Sequence, residues 1–226
     1  MKLSVVATPI GNLEDITQRA LRVLKEADVV LCEDTRTTSK LLSHYGITTK
    51  TISYHSHSGI AKVDRIKEFL EEGKHVALVS DAGTPGVSDP RSILISQLRD
   101  SFGDELVIEA IPGASALSAA LSIAGLKIPT FTFYGFLPQK KGRETLLKAI
   151  AADERASVFY ESPHRIMKAL EALSKLLIDS RRVGIYRELT KMHEQSVVGS
   201  AAEVLQYFKD NSDKERGEFV VIVEAQ

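Results

Sequence analysis

The amino-acid sequence predicts an α/β protein of two domains, and three observations lead to that expectation. Short apolar, β-branched runs alternate with segments of helical periodicity along the chain, the pattern of strand–helix units built on a largely parallel sheet. A loop rich in glycine and proline, Ser80-Asp-Ala-Gly-Thr-Pro-Gly-Val-Ser-Asp-Pro90, leaves the apolar run Val76-Ala-Leu-Val79, at the strand end where open α/β sheets place their ligands. The chain has 226 residues, enough for two cores, and past Ile111 it turns to a helix of small residues and a new set of strands. The expected domains are therefore 1–111, a parallel α/β unit, and 112–226, a mixed-sheet α/β unit.

In the first domain, Leu3-Ser-Val-Val-Ala-Thr8 reads as a strand. Leu13, Ile16, Ala20, Leu21, Leu24 and Ala27 form the apolar face of a helix, with Asn12 and Asp15 in a capping arrangement. Asp28-Val-Val-Leu-Cys32 is the second strand, followed by Glu33-Asp-Thr-Arg36 and a helix over 39–45 that Gly46 closes. A third strand covers 51–54, and Ile60, Val63, Ile66, Phe69 and Leu70 mark a helix ended by Gly73. A strand over 75–79, a helix over 91–101 and a strand over 105–110 complete the domain. In the second, a small-residue helix over 114–124 precedes a strand over 130–134 and the basic segment Gln139-Lys-Lys-Gly-Arg143. Helices over 144–152, 166–177 and 202–208 then alternate with strands over 156–160, 183–186 and 219–223, and 187–194 is a charged loop.

The hydrophobic fraction of 43% and charged fraction of 26% are those of a soluble globular protein. No apolar stretch reaches membrane-spanning length and the N-terminus runs straight into a strand, so the sequence predicts a cytoplasmic protein with no membrane partner. A single cysteine, Cys32, excludes an internal disulfide, and its apolar neighbours read as a buried structural thiol. With 29 basic and 30 acidic residues the net charge is -1, which gives no global pull on nucleic acid. Any such contact is local, and residues 139–143 with Lys148 read either as that contact or as a solvated loop. His55 and His57 lack a third ligand, so no metal is expected. Only Gly11 stands where a dinucleotide fingerprint needs three glycines, and there is no phosphate-loop lysine, which disfavours the standard dinucleotide and nucleoside-triphosphatase folds.

Three segments carry the candidate chemistry. Gly83 and Gly86 allow positive φ and close approach, while Pro85 and Pro90 stiffen the loop around them. A rigid turn is the alternative. Glu33-Asp-Thr-Arg36 reads as cleft-facing polar residues or as a capping turn. Ser115 and Ala116 suit a flat ligand or a close helix–helix contact.

Seven motifs then appear in order: Thr8-Pro-Ile-Gly-Asn-Leu-Glu-Asp15, Glu33-Asp-Thr-Arg36, Ser80 to Pro90, Ile111-Pro-Gly-Ala-Ser-Ala116, Tyr134-Gly-Phe-Leu-Pro138, Tyr160-Glu-Ser-Pro-His-Arg165 and Arg187-Glu-Leu-Thr-Lys191. Together they resemble the tetrapyrrole-methylase superfamily of S-adenosylmethionine-dependent methyltransferases, and within it the branch acting on ribosomal RNA. The resemblance implies a two-domain tetrapyrrole-methylase-like fold with a cofactor cleft between the domains, S-adenosyl-L-methionine as cofactor, and a homodimer. It further implies 2′-O-ribose methylation of a cytidine in the decoding region of 16S rRNA, in the small ribosomal subunit. A small tetrapyrrole precursor is the alternative substrate, and a non-catalytic nucleotide-binding protein the other class.

Carried over by position, the cofactor contacts are Pro9, Ala82, Gly83, Thr84, Val87, Ser115 and Ala116, with Tyr160, Glu161 and Glu218 matching in approximate position. A carboxylate, Asp81 or Asp34, is expected to relay the hydroxyl proton. Arg36, Arg165 and Lys191 are expected to hold RNA phosphates, together with Lys140, Lys141 and Arg143 and, in a dimer, Lys168.

Overall fold

The structure is a computed structural model describing residues 1–55, 60–89 and 92–226. His57, weighed above as a ligand, Pro90 of the glycine–proline loop and Arg91, the expected start of a helix, lie outside the described residues. The chain divides into two units, Met1–Ser115 and Ala116–Gln226.

The first unit runs β1 (Lys2–Val6), α1 (Gln18–Glu26), β2 (Val29–Cys32), α2 (Thr35–His44), β3 (Lys50–Ser53), α3 (Ile60–Glu71), β4 (His75–Val79), α4 (Ser92–Phe102) and β5 (Val107–Ile111). Its five strands are all parallel, in the order β3-β2-β4-β1-β5. Alternate residues of each strand face opposite sides, and both sides are covered. Leu3, Val29, Leu31, Val76 and Leu78 pack with Ile66, Phe69, Leu70, Leu94 and Leu98 of α3 and α4. Val6, Val30, Cys32, Ala77 and Val79 pack with Ala20, Val23, Leu24 and Leu42 of α1 and α2. A strand buried on both faces of a parallel sheet reads as an unbroken apolar run, which is why β2 and β4 stand out in the sequence.

Since every strand points the same way, the loops leaving β1, β2, β4 and β5 collect at one edge of the sheet. The chain leaves β2 towards β3 on one side and leaves β4 towards β5 on the other. The divergence opens a crevice at the carboxyl ends of β2 and β4, the switch point where such sheets bind ligands.

Three boundaries differ from expectation. The helix expected from Leu13 begins at Gln18: Asn12 accepts the Glu14 N–H and starts only a 3-10 turn, Leu13–Asp15, and Thr17 then caps α1 by accepting the Ala20 N–H. The helix expected from residue 39 begins at Thr35, because Asp34 caps it. Arg36 therefore sits in the first turn of α2. The last strand starts at Val107, because Gly103–Glu105 forms a 3-10 turn.

The second unit contains α5 (Ala116–Ser122), β6 (Phe131–Phe136), α6 (Arg143–Ala152), β7 (Ala156–Glu161), α7 (Ile166–Leu176), β8 (Arg182–Arg187), β9 (Gln195–Ser200), α8 (Ala201–Asp210) and β10 (Phe219–Val223). The strand order is β6-β7-β10-β8-β9, with β6 parallel to β7 and the other neighbours antiparallel. Leu147, Ile150, Leu170, Leu173, Val204 and Phe208 of α6, α7 and α8 pack on Phe159, Ile185, Phe219 and Val221 of the sheet. Arg181 is buried among the carbonyl oxygens that end α6. Its guanidinium donates to Ala151 O at 2.7 Å, Asp153 O at 2.8 Å and Glu224 O at 2.7 Å. Strand β9 was not expected, and the small-residue helix is shorter than expected at both ends. Among the described residues no helix is long and apolar enough to cross a membrane.

Candidate functional site

Three loops of the first unit are tied together at the carboxyl edge of its sheet. Beyond β1 and Ala7, Thr8 pairs with Gly83 of the glycine–proline loop, each N–H donating to the other's carbonyl at 3.0 Å. The Thr8 hydroxyl donates to Ser80 O at 3.0 Å, and the Ser80 hydroxyl donates to Gly83 O at 2.9 Å. The Thr84 hydroxyl donates to Ala114 O at 3.1 Å, reaching the loop after β5. The Ala7 N–H donates to Ile111 O at 3.1 Å, closing the set. Gly83 makes this closeness possible. At φ +79° it occupies the left-handed region, and a Cβ there would lie 3.2 Å from Ile10 Cγ2.

These loops carry six of the seven expected cofactor residues: Pro9, Thr84, Val87 and Ser115 are half-buried, Gly83 buried and Ala82 exposed. Ala116, the seventh, opens α5 in the second unit. A meeting of three loops with glycines at its close approaches, Gly83 and Gly113, is the kind of cradle that accepts the polar end of a small organic cofactor through backbone N–H and C=O groups.

Beside them, at the switch point, lies a pocket of about 450 Å³ lined by Glu33, Asp34, Thr35, Arg36, Ser53, His55 and Asp81. The two expected catalytic carboxylates meet here, since Asp81 Oδ1 accepts the Asp34 N–H at 3.1 Å. Their situations differ. Asp34 accepts from the Arg36 guanidinium, at 2.7 Å from Nη2, and from the Arg36 N–H at 2.8 Å while capping α2. The side-chain hydrogen bond from Arg36, reinforced by its backbone N–H, holds the Asp34 carboxyl down at about 2. A carboxylate that acidic is a poor proton acceptor. Asp81 carries no such guanidinium among the described residues. The Arg36 side chain, 87% exposed, projects into water beyond its partner.

The expected RNA contacts fall into two groups. Lys140 and Lys141 are exposed. Arg143 and Arg165 instead converge on Glu161, whose side chain is 0% exposed, at 2.5 Å and 3.0 Å. Arg143 thus belongs to the start of α6 and an ion pair, not to a free basic loop. Lys191 donates to Glu188 Oε1 at 3.0 Å and to Glu218 Oε2 at 2.8 Å. Burial works against its charge, but these two carboxylates outweigh that and raise its pKa. The same loop holds Glu188 and Thr190 at φ +51° and +66°, strained values for residues with side chains. Tyr160 fixes α5, its hydroxyl accepting the Leu117 N–H at 3.2 Å.

Thr8, Ser80 and Gly113 were not singled out from the sequence. Gly113 leaves only 3.0 Å between an added Cβ and Ala7 Cβ, so it too is required by close backbone approach. All three stand inside quoted motifs, and a hydroxyl in or next to a Gly–Pro loop was the available signal. Among the described residues no group of three or more His, Cys, Asp or Glu could hold a metal ion.

Residues 2–205 match the family profile of Tetrapyrrole (Corrin/Porphyrin) Methylases. The chain is 43% identical over 222 residues to Ribosomal RNA small subunit methyltransferase I of Synechocystis sp., covering 98% of this chain and 78% of that protein. To the protein of the same name from Thermotoga maritima it is 40% identical over 222 residues, 98% and 97% of the two chains. Among solved structures it resembles the methyltransferase CobJ at a TM-score of 0.71 and 21% identity, covering 99% of this chain and 93% of the other. It resembles uroporphyrin-III-C-methyltransferase from Thermus thermophilus at 0.65 and 18%, covering 99% and 94%. At those identities the structural likeness establishes the fold alone, and a fold of this kind does not choose a substrate.

Proposed function

The chain belongs to the tetrapyrrole (corrin/porphyrin) methylase family, and from that premise we propose that it methylates small-subunit ribosomal RNA with S-adenosyl-L-methionine as donor. The product is a 2′-O-methylated cytidine in the decoding region of 16S rRNA, and the chain works as a homodimer in the cytoplasm. One observation above all supports this substrate over a tetrapyrrole. Identity of 40% and 43% over 98% of this chain to proteins named for small-subunit rRNA contrasts with 18% and 21% to the corrinoid and porphyrin enzymes.

The donor supplies a methyl carbon bonded to a positively charged sulfur. The chain's part is to align a ribose hydroxyl with that carbon and to exclude water, which accounts for most of the rate in an in-line displacement. The loops at Thr8–Ile10, Ala82–Val87 and Gly113–Ser115 hold the donor through backbone groups. Asp81 takes the hydroxyl proton. Asp34 keeps its negative charge against Arg36 and fixes the start of α2 beside Asp81. Arg36, Lys140 and Lys141 meet RNA phosphates. Arg143, Arg165 and Lys191, each already paired with a carboxylate, contribute shape to the site more than free charge.

The test is a labelled-methyl assay offering small ribosomal subunits and uroporphyrinogen side by side. Label enters 16S rRNA only, and Asp81→Asn lowers turnover by about 10²–10⁴-fold while leaving S-adenosylhomocysteine binding intact. Label in uroporphyrinogen assigns the tetrapyrrole substrate instead. An Asp81→Asn protein near wild-type turnover removes the proton role, and absence of S-adenosylhomocysteine binding in calorimetry removes the enzyme reading altogether.

A further inference from the structure

Strand β6 changes register before it ends. Phe133 pairs with Val158, but the next pair is Phe136 with Tyr160, so three steps on β6 meet two on β7. Gly135 takes up the extra residue at φ +62°. Such a bulge re-aims the side chain that follows it. Here it turns Phe136 outward, leaving the ring 55% exposed. The ring is nevertheless anchored. It lies edge-on to Tyr160 with centroids 5.4 Å apart, and Tyr160 is held in turn by Phe133 at 5.0 Å and by the Leu117 N–H.

Positive charge follows this ring along the chain. Lys140 and Lys141 follow four and five residues later, exposed and without a carboxylate partner among the described residues. A fixed, half-exposed aromatic ring followed within five residues by two exposed lysines suits a polyanion that also carries flat π surfaces. Single-stranded nucleic acid has both properties.

We propose that Phe136 is a base-stacking residue for single-stranded RNA, with Lys140 and Lys141 on the flanking phosphates. The proposal deepens the function assigned above and rests on it, since it names the residue that holds an unpaired nucleotide of the substrate. A second copy of this chain seated on Phe136 is the competing occupant, and the two exposed lysines that follow the ring in the chain disfavour it.

The experiment uses the full chain, which contains no tryptophan. Phe136→Trp then carries the sole indole, whose fluorescence is quenched when a single-stranded cytidine-rich oligoribonucleotide or the small subunit stacks on it. Phe136→Leu keeps an apolar side chain but no π face, and raises KM for small subunits by about 5- to 150-fold, the worth of one stacked base. Phe136→Trp restores KM, and kcat and S-adenosylhomocysteine affinity stay at wild-type values in both. Replacing Lys140 and Lys141 by Ala lowers the salt dependence of binding by about 0.7 per phosphate released. The proposal is overturned by an unquenched indole, by unchanged KM in Phe136→Leu, or by a drop in sedimentation coefficient for Phe136→Leu, which would assign the ring to a second copy. A wild-type protein that labels no ribosomal RNA marks failure of the underlying reading instead.

Discussion

Gly83→Ala and Gly86→Ala form a matched pair that isolates the joining of the three loops from ordinary backbone strain. Both glycines sit in the left-handed region, at φ +79° and +85°. An alanine at either position pays about 1–2 kcal/mol for that conformation. The surroundings differ. A Cβ at Gly86 meets nothing within 4 Å, whereas one at Gly83 comes to 3.2 Å from Ile10 Cγ2 and 3.6 Å from Ala114 O. Ile10 and Ala114 belong to the other two loops, so the methyl group at residue 83 pries the set apart, adding roughly 1 kcal/mol of overpacking. Gly86→Ala is expected to lower the melting temperature by roughly 3–6 °C, and Gly83→Ala by a few degrees more. Calorimetry with S-adenosylhomocysteine separates them further: Gly83→Ala loses about tenfold or more in affinity for a 1.4 kcal/mol displacement of the cradle, and Gly86→Ala retains more of it. Equal affinities and equal stabilities for the two proteins would refute the idea that the joined loops form the donor cradle.

Arg181→Met leaves the buried carbonyls of Ala151, Asp153 and Glu224 without their donor and is expected to cost about 3–5 kcal/mol in denaturant unfolding. A loss under about 1 kcal/mol would mean water replaces the guanidinium freely. His75 bonds the Ser4 hydroxyl at 2.8 Å. Burial, assisted by Lys2 and opposed by Asp28, Glu109 and Glu26, pushes it below its ordinary 6.5. The unfolded chain therefore binds the proton first, so this contribution to stability is full above pH 6.5 and drains as pH falls below it. Melting temperatures of the wild type and His75→Gln between about pH 8 and 5 should converge towards the acid end. Parallel curves would show that His75 titrates alike in both states.

The alternation of strands and helices was most legible at β2 and β4, which are apolar on both faces; Val29–Cys32 is buried at every position. Strand β9 was not, since Gln195-Ser-Val-Val-Gly-Ser200 carries only two large apolar residues and lies at the sheet edge. The start of α2 was hidden because Asp34 both ends a strand and caps a helix, and a sequence does not say which role prevails. The glycine–proline loop announced itself by composition. Its ties to Thr8 and Ala114 did not, because they join residues 75 and 30 positions apart. Charge was the least readable property. Arg143 reads as a free cation until Glu161, 18 residues on, is seen to hold it. Phe136 was masked by the expectation that the strand ends at Tyr134, whereas β6 runs on to Phe136 through one extra residue at Gly135.

The position of β1 inside its sheet sets a schedule for synthesis on the ribosome. Its ladder partners are residues 75–79 on one side and 107–111 on the other. At 5–20 residues per second, about 5–20 s separate translation of Val6 from that of Ile111. Throughout that interval Leu3 and Val6, both fully enclosed in the finished unit, emerge as a sticky, unmated leader. Chaperone occupancy of nascent chains should be greatest at lengths short of β5 and fall once it clears the exit tunnel.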